Sequence, residues 1–348
     1  MGIALVVLVP LLAAAQEAPA DRAAELWQAG RRAEAIEAAR AELSRQPEPA
    51  GLRLRLAEWQ IAVQRYEAAL ADLEPLGQEV DSLRGEALFR LGRYEEAVPK
   101  LNAGDPSQAL MRVEALWALA RFEEADRALV EAARLVGEHD PQVLALQGRR
   151  LARLERHVEA AQAFRAALEK DPLLPEALYG LGQALVRSGE REAGLAALER
   201  HRALLPLLDA LDFARRGVDL APAHAPNLAA LGDAERALGR LDQAEAAYRE
   251  AARLAEPEQL APIALRHARL LEEDRGDPER ALVLLDEAGE RSGDPRPWVR
   301  AGDLLTRLGR HLEALQRYLR AEVLRPGDSE IERRIAASRA ALERAKSR

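Results

Sequence analysis

The chain has 348 residues, no cysteine and a formal net charge of −8. The lack of cysteine excludes disulfides, thiolate metal sites and a cysteine nucleophile, and the acidic balance disfavours general nucleic-acid binding. Hydrophobic residues make up 48% of the chain but aromatic residues only 4%. The core must therefore consist mostly of alanine and leucine, which favour helix.

The N-terminal stretch, residues 1–15, is apolar and ends in three alanines. Its apolar run of about 14 residues is short of the roughly 20 needed to span a membrane. Small residues after such a run are typical of a cleaved secretory leader. We therefore predict a signal peptide over residues 1–15 and a periplasmic or secreted protein that begins at Gln16.

Two features of the same stretch leave alternatives open. No lysine or arginine precedes the apolar run, and Pro10 interrupts it. If the segment is not a signal peptide, it is either a hydrophobic tail or the product of a wrongly chosen start codon. Both alternatives place the protein in the cytoplasm.

Beyond a short polar linker, residues 16–20, one helical hairpin pattern recurs along the chain. The sequence predicts an array of about eight or nine hairpins over residues 16–328, followed by a capping helix over residues 329–348. The units recognised are 21–47, 50–77, 78–105, 106–140, 141–174, 175–206, 225–256, 262–294 and 295–326. Residues 207–223 form an extra helical segment that resembles the second half of a unit.

Prolines predict where individual helices end, because proline cannot continue a helix interior. Pro75 and Pro99 predict shortened second helices in the second and third units. Pro206 predicts the end of the sixth unit. The regularity of the array near Pro75 and Pro99 is left open.

The unit at residues 295–326 shows the repeated pattern most clearly. Small residues, Gly302 and Ala314, allow its two helices to approach closely. The full set of signature residues is Trp298, Ala301, Gly302, Leu305, Gly309, Ala314, Tyr318, Ala321 and Pro326. This spacing closely resembles the tetratricopeptide repeat family. The resemblance implies an all-α fold, a right-handed α-solenoid of stacked hairpins with a C-terminal capping helix.

The sequence contains no motif for a metal site, a phosphate-binding loop or a catalytic nucleophile. The six histidines include no pair at helical ligand spacing with a carboxylate partner,. Gly180-Leu181-Gly182 lies inside a predicted helix, so it is not a phosphate-binding loop. No serine lies in a nucleophile-elbow pattern. We therefore predict a protein that is not an enzyme and uses no cofactor or metal.

The resemblance also implies which residues face a partner, because the first helices of such hairpins line a concave groove. The predicted partner-binding residues are Trp27, Phe89, Trp117, Arg149, Arg153, Tyr179, Gln183, Arg187, Arg236 and Arg307. Acidic residues at matching positions include Glu58, Glu86, Glu114, Asp233 and Asp303. Two alternatives stay open: the aromatic residues pack between helices, and each arginine pairs with a carboxylate on the next helix.

These features lead to one functional hypothesis with rivals. We expect a non-catalytic scaffold or adaptor that binds a partner protein or peptide in the groove, in the cell envelope. The alternatives are a cytoplasmic adaptor of the same family and a helical accessory module of an enzyme complex. No nucleic-acid partner is expected.

The last predicted helix is the only segment expected to touch a membrane. Between Ile331 and Arg348 it carries six basic and two acidic residues, which would suit an anionic surface. The other interpretation is a cap, in which Ile331, Ile335, Leu342 and Ala345 cover the last hairpin. We favour the cap, because an open solenoid end exposes apolar surface.

Overall fold

The computed structural model describes residues 19–45 and 50–346, and over these residues the protein is helical with no strand. The candidate signal peptide, residues 1–15, lies outside the described residues. The prediction of an all-α solenoid is confirmed. One difference concerns the predicted linker, because the first helix already begins at Pro19.

Eighteen of the described helices pack in consecutive pairs, which we number as hairpins one to nine, and α19 follows them. The bounds are α1 Pro19–Gln28 with α2 Arg32–Arg45; α3 Ala50–Ala62 with α4 Tyr66–Leu73; α5 Asp81–Arg90 with α6 Tyr94–Ala97; α7 Pro106–Ala118 with α8 Phe122–Val136; α9 Pro141–Arg153 with α10 His157–Lys170; α11 Pro175–Ser188 with α12 Arg191–Leu220; α13 Ala225–Ala237 with α14 Leu241–Leu254; α15 Pro257–Arg269 with α16 Pro278–Ser292; α17 Pro295–Arg307 with α18 His311–Leu324; and α19 Ser329–Lys346. A 3₁₀ turn, Gln78–Val80, precedes α5, and a π turn, Leu270–Asp274, follows α15.

Glycines in the first helices receive the large side chains of the second helices. In hairpin nine the Tyr318 ring lies directly over Gly302, so closely that no Cβ atom fits there. Gly232 and Tyr248 repeat this contact in hairpin seven. The sequence pattern placed Gly302 against Ala314, whereas in the structure the contact that requires glycine is made by the tyrosine ring.

The prolines act as predicted at two sites and differently at the third. α4 ends at Leu73 and α6 already at Ala97, so both are short. The prediction that Pro206 ends a helix is wrong, because α12 runs through it as one helix of 30 residues. An internal proline costs a helix about 3 kcal/mol. Pro206 is exposed, while Leu204 and Leu211 on the opposite side are buried in one core cluster, and this burial offsets the cost.

The extended half of α12 reaches back to the first two hairpins. Arg32 of α2 donates a hydrogen bond to Asp219 at 2.9 Å, and Gln64 donates to Asp212 at 3.2 Å. Leu220 packs against the core of hairpin one. These contacts join residues that are 187 and 148 positions apart. The extension thus holds the N-terminal hairpins against the middle of the array.

The last helix covers hairpin nine with part of the predicted face. Ile331 and Ile335 are buried in the cluster that contains Tyr318. Ser338 is buried as well, whereas Ala345 is exposed and takes no part in the cover. None of the described helices combines the length and the apolar character needed to cross a membrane.

Deleting residues 329–348 is expected to expose this cluster and destabilise hairpin nine. Each buried isoleucine contributes roughly 1.5–3 kcal/mol, so the truncated protein should melt at a lower temperature or aggregate. Thermal unfolding of the two forms checks this. Equal stability of the truncated protein, with loss of binding to anionic vesicles, would support a basic membrane patch instead of a cap.

Candidate functional site

Three successive first helices, α7, α9 and α11, line a cavity of about 450 Å³, with α10 beneath it. Five of the ten predicted binding residues line this cavity. The complete lining is Trp117, Arg149, Ala152, His157, Phe164, Glu176, Tyr179, Gly180, Gln183, Ala184 and Arg187. We call it the groove cavity.

Aromatic rings form two walls of the groove cavity. Trp117 is held edge-on by Phe122, with ring centroids 5.1 Å apart, and the Arg149 guanidinium lies 5.2 Å from the Trp117 ring. Tyr179 contacts His201 at 5.3 Å and is 47% exposed. Both rings therefore offer apolar area to the cavity while their neighbours fix their positions.

Three charged side chains of the cavity form no ion pair among the described residues. Arg149 and Arg187 form no ion pair with any residue that the structure describes. The same holds, within the described residues, for the carboxylate of Glu176. A guanidinium without a carboxylate retains five donors for a ligand. The cavity thus offers two guanidinium groups without an ion pair, one of them, Arg149, lying over the Trp117 ring.

Glu114 of α7 stands close to this charge cluster. Its side chain is accessible to water, yet it lies in the concavity with protein on most sides. Desolvation there raises the pKa of Glu114, Glu176 raises it further, and Arg149 opposes the shift. The raised pKa shows that Arg149 compensates Glu114 only in part.

Arg153 is the sixth predicted residue in this part of the array, and it follows Ala152 of the cavity lining. Its guanidinium lies 4.6 Å from the centroid of Phe122 and 3.6 Å from Asp126. Arg150 shares the same carboxylate at 3.0 Å. Arg153 is therefore already engaged by the protein.

The two remaining predicted arginines are paired within the protein. Arg236 donates to Glu273 at 2.9 Å and also to Asp274. Arg307 pairs with Glu272, which the π turn after α15 presents to the next hairpin. These two arginines therefore pair with carboxylates of the protein, which is one of the alternatives that the sequence left open.

The two N-terminal aromatic residues pack between helices. Trp27 stacks on Trp59 with centroids 4.8 Å apart and an interplanar angle of 7°. Phe89 packs on Tyr94 at 5.6 Å. Neither lines the groove cavity, so the structure does not unite the ten predicted residues into one site.

Sequence reasoning missed the other six members of the lining, and the three with large or ionisable side chains among them are Glu176, His157 and Phe164. Glu176 lies one helical turn before Tyr179, so their side chains share a face of α11,. That spacing could have indicated its place. Among the described residues no group of three or more possible metal ligands occurs.

The stacked hairpins and the lined groove define the class of the protein, a helical repeat scaffold. One model of the tetratricopeptide repeat matches residues 52–109, 110–175 and 146–207, and a second model of this repeat matches residues 225–257. Together these matches span more than half of the chain. The chain belongs to the tetratricopeptide repeat family, whose members generally serve as protein-interaction scaffolds.

Several solved structures are similar to this chain. A thermophilic TPR protein of Thermus thermophilus is 25% identical, with 57% of this chain and 98% of that chain covered and a TM-score of 0.32. The TPR domain of P58(IPK) is 18% identical, with 95% and 99% covered and a TM-score of 0.28. The yeast Tom70 is 13% identical, with 94% and 89% covered and a TM-score of 0.29. No curated protein matches this chain.

Proposed function

We propose that this protein is a non-catalytic scaffold that binds a segment of a partner protein in the groove cavity. One observation carries the proposal. Of the predicted groove arginines, Arg236 and Arg307 are paired internally, whereas Arg149 and Arg187 pair with no described residue. Unpaired guanidinium groups beside fixed aromatic rings are the composition that protein interfaces favour.

The dimensions of the cavity suit a short segment. About 450 Å³ is within the usual range for a site that takes a small ligand or a few side chains. Each hydrogen bond from a charged group contributes about 1.5–3 kcal/mol, so two arginines and two aromatic contacts suffice for specific binding. The rest of the groove then extends the contact along the array.

We propose further that the mature protein acts outside the cytoplasm. The support is the apolar leader, residues 1–15, with its small residues before Gln16. N-terminal sequencing of the protein from cell fractions tests it. Gln16 as the first residue in an envelope fraction supports export, and Met1 in the cytoplasmic fraction supports the cytoplasmic adaptor.

The test of groove binding is site-specific photocrosslinking in the cells that make the protein. A benzophenone amino acid replaces Gln183 in the cavity or, as a matched control, Gln162, which is exposed on α10 outside the cavity lining. Position 183 is expected to give a defined adduct that disappears when Arg149 and Arg187 are both changed to glutamate. The same adduct from position 162, or an adduct insensitive to both arginines, would contradict groove binding.

A further inference from the structure

Hairpin nine contains an arrangement of charged and polar side chains that can be compared with the groove cavity. The Tyr318 hydroxyl donates to the Asp303 carboxylate at 2.8 Å, and Arg334 of α19 donates to the same carboxylate at 2.8 Å. Arg334 also pairs with Glu330. We call this arrangement of aspartate, tyrosine and the following helix's arginine the latch.

Hairpin seven contains the same latch. Tyr248 donates to Asp233 at 2.6 Å, and Arg266 of the next first helix donates to the other oxygen of Asp233 at 3.0 Å. In each hairpin the tyrosine follows the aspartate by 15 positions. The latch is therefore a recurring way in which this array pairs the charges that face the groove.

Hairpin five has equivalent positions with different residues. Phe164 follows Arg149 by the 15 positions that separate Tyr318 from Asp303, and Gly180 follows Arg149 as Arg334 follows Asp303. The structure supports the equivalence, because the Phe164 ring lies against Gly148, the residue before Arg149, as the Tyr318 ring lies against Gly302, the residue before Asp303. Both sets line clefts at the same place in the repeat.

The residues at these positions in hairpin five reverse the charges of the latch. Their charged groups form no ion pair among the described residues. Arg149 stands where the latch has its carboxylate, Phe164 has no hydroxyl, and Gly180 has no side chain. Glu176 occupies the position of Glu330, but the arginines that pair with Glu330 have no counterpart in hairpin six. Asp303 and Asp233 are paired in their hairpins, whereas Arg149 forms no ion pair with Glu176 or with any other described carboxylate.

We infer that the partner segment completes this ion pair with an acidic side chain, aspartate or glutamate, held between Arg149 and Arg187. This inference rests on the proposed function. Arg149 and Arg187 line the cavity with the Glu176 carboxylate, and Glu114 stands close to Arg149. Neither arginine forms an ion pair with these carboxylates, so both guanidinium groups keep donors for the carboxylate of a ligand. Guanidinium binds carboxylate in a bidentate manner.

The remaining lining sets the neighbours of the acidic residue. Trp117 and Tyr179 present apolar faces to the cavity above the buried Phe164 ring, which suit an aromatic or aliphatic side chain next to the acidic one. Glu176 stands at the same cavity and repels further negative charge. The expected segment therefore carries a single acidic residue beside an apolar one, not an acidic run.

The test uses capped hexapeptides, Ac-GGEFGG-NH2 and its variants with Gln or Lys in place of Glu. Binding is followed by the NMR signal of the Trp117 indole N–H, with those of Trp27, Trp59 and Trp298 as internal references away from the cavity. The Glu peptide is expected to bind about tenfold more tightly than the Gln peptide and to shift the Trp117 signal alone. The Lys peptide should bind least.

Variants assign the effect to the inverted latch. Arg149→Gln should remove the tenfold preference for the Glu peptide, and Glu176→Gln should strengthen binding of that peptide. Arg307→Gln removes a paired arginine and should change neither. Equal or tighter binding of the Gln or Lys peptide would overturn the inference. So would binding of Ac-GGGGF, whose only carboxylate is its free C-terminus, in preference to the Glu peptide.

The crosslinking result separates this inference from the proposed function. A partner adduct at position 183 with no preference for the Glu peptide means that the groove binds a segment of other chemistry, and only the inference fails. Loss of both the adduct and the peptide response means that the proposed function fails with it.

Discussion

Replacing Gly302 with leucine is expected to unfold the C-terminal end of the array at much lower denaturant concentration or temperature than the rest. No Cβ fits between Gly302 and the Tyr318 ring. Overpacking of this kind costs about 1–3 kcal/mol and sometimes more. Displacing the ring also breaks the hydrogen bond from Tyr318 to the Asp303 carboxylate, which adds about 1.5–3 kcal/mol.

Amide hydrogen exchange is the measurement for this variant, because a repeat array need not unfold as one unit. Residues 295–346 should exchange faster, while residues 106–188 keep their protection. Gly51→Ala is the matched control, since nothing lies within 4 Å of the position of a Cβ there. Unchanged exchange in Gly302→Leu would show that the two helices of hairpin nine are packed differently.

Lowering the pH from 6.5 to 4 is expected to destabilise the C-terminal half through His267. This side chain is 4% exposed, stacks on Tyr248 with centroids 5.7 Å apart, and has no hydrogen-bond partner at either nitrogen among the described residues. Burial lowers the pKa of His267 to about 4; Glu245 opposes this shift, and Arg280 and Arg249 add to it.

The direction of the pH effect follows from proton uptake. Between pH 6.5 and 4 the unfolded chain binds a proton at this histidine while the folded protein does not. Stability is therefore complete above pH 6.5 and falls as the pH approaches 4. The full effect is about 3 kcal/mol for a shift of this size.

Chemical denaturation at pH 7 and pH 5, compared between wild type and His267→Leu, measures this contribution. The variant should lose less stability between the two pH values than the wild type. His139→Leu is the control for the loss of a histidine, because His139 is exposed in a loop. Identical pH dependence of wild type and His267→Leu would contradict the account of His267.

The hairpins could be predicted because their signals are local. A glycine at the turn, small residues on facing helices and a proline after the second helix lie within one repeat, as at Gly302, Gly309 and Pro326. The same local signals predicted the early ends of α4 and α6. The continuous helix through Pro206 could not be predicted, because it depends on burial of Leu204 and Leu211 among side chains of other hairpins.

The candidate site was predictable in position but not in pairing state. The repeat pattern placed Trp117, Arg149, Tyr179, Gln183 and Arg187 on first helices, and the structure brings them to one cavity. Which arginines are paired depends on the neighbouring hairpin. Arg236 meets Glu273 and Asp274 only because of the π turn after α15, and no pattern in the sequence indicated that turn.

The most direct test of groove binding is the affinity of the segment captured at position 183 for two double variants, measured by isothermal titration calorimetry. One variant, Arg149→Gln with Arg187→Gln, removes the unpaired arginines; the other, Arg236→Gln with Arg307→Gln, removes two paired ones. The first should weaken binding by about two orders of magnitude, since each charged hydrogen bond contributes roughly tenfold or more, and the second should leave it unchanged. Full affinity in the first variant, or an equal loss in the second, would contradict the assignment of the groove cavity as the binding site.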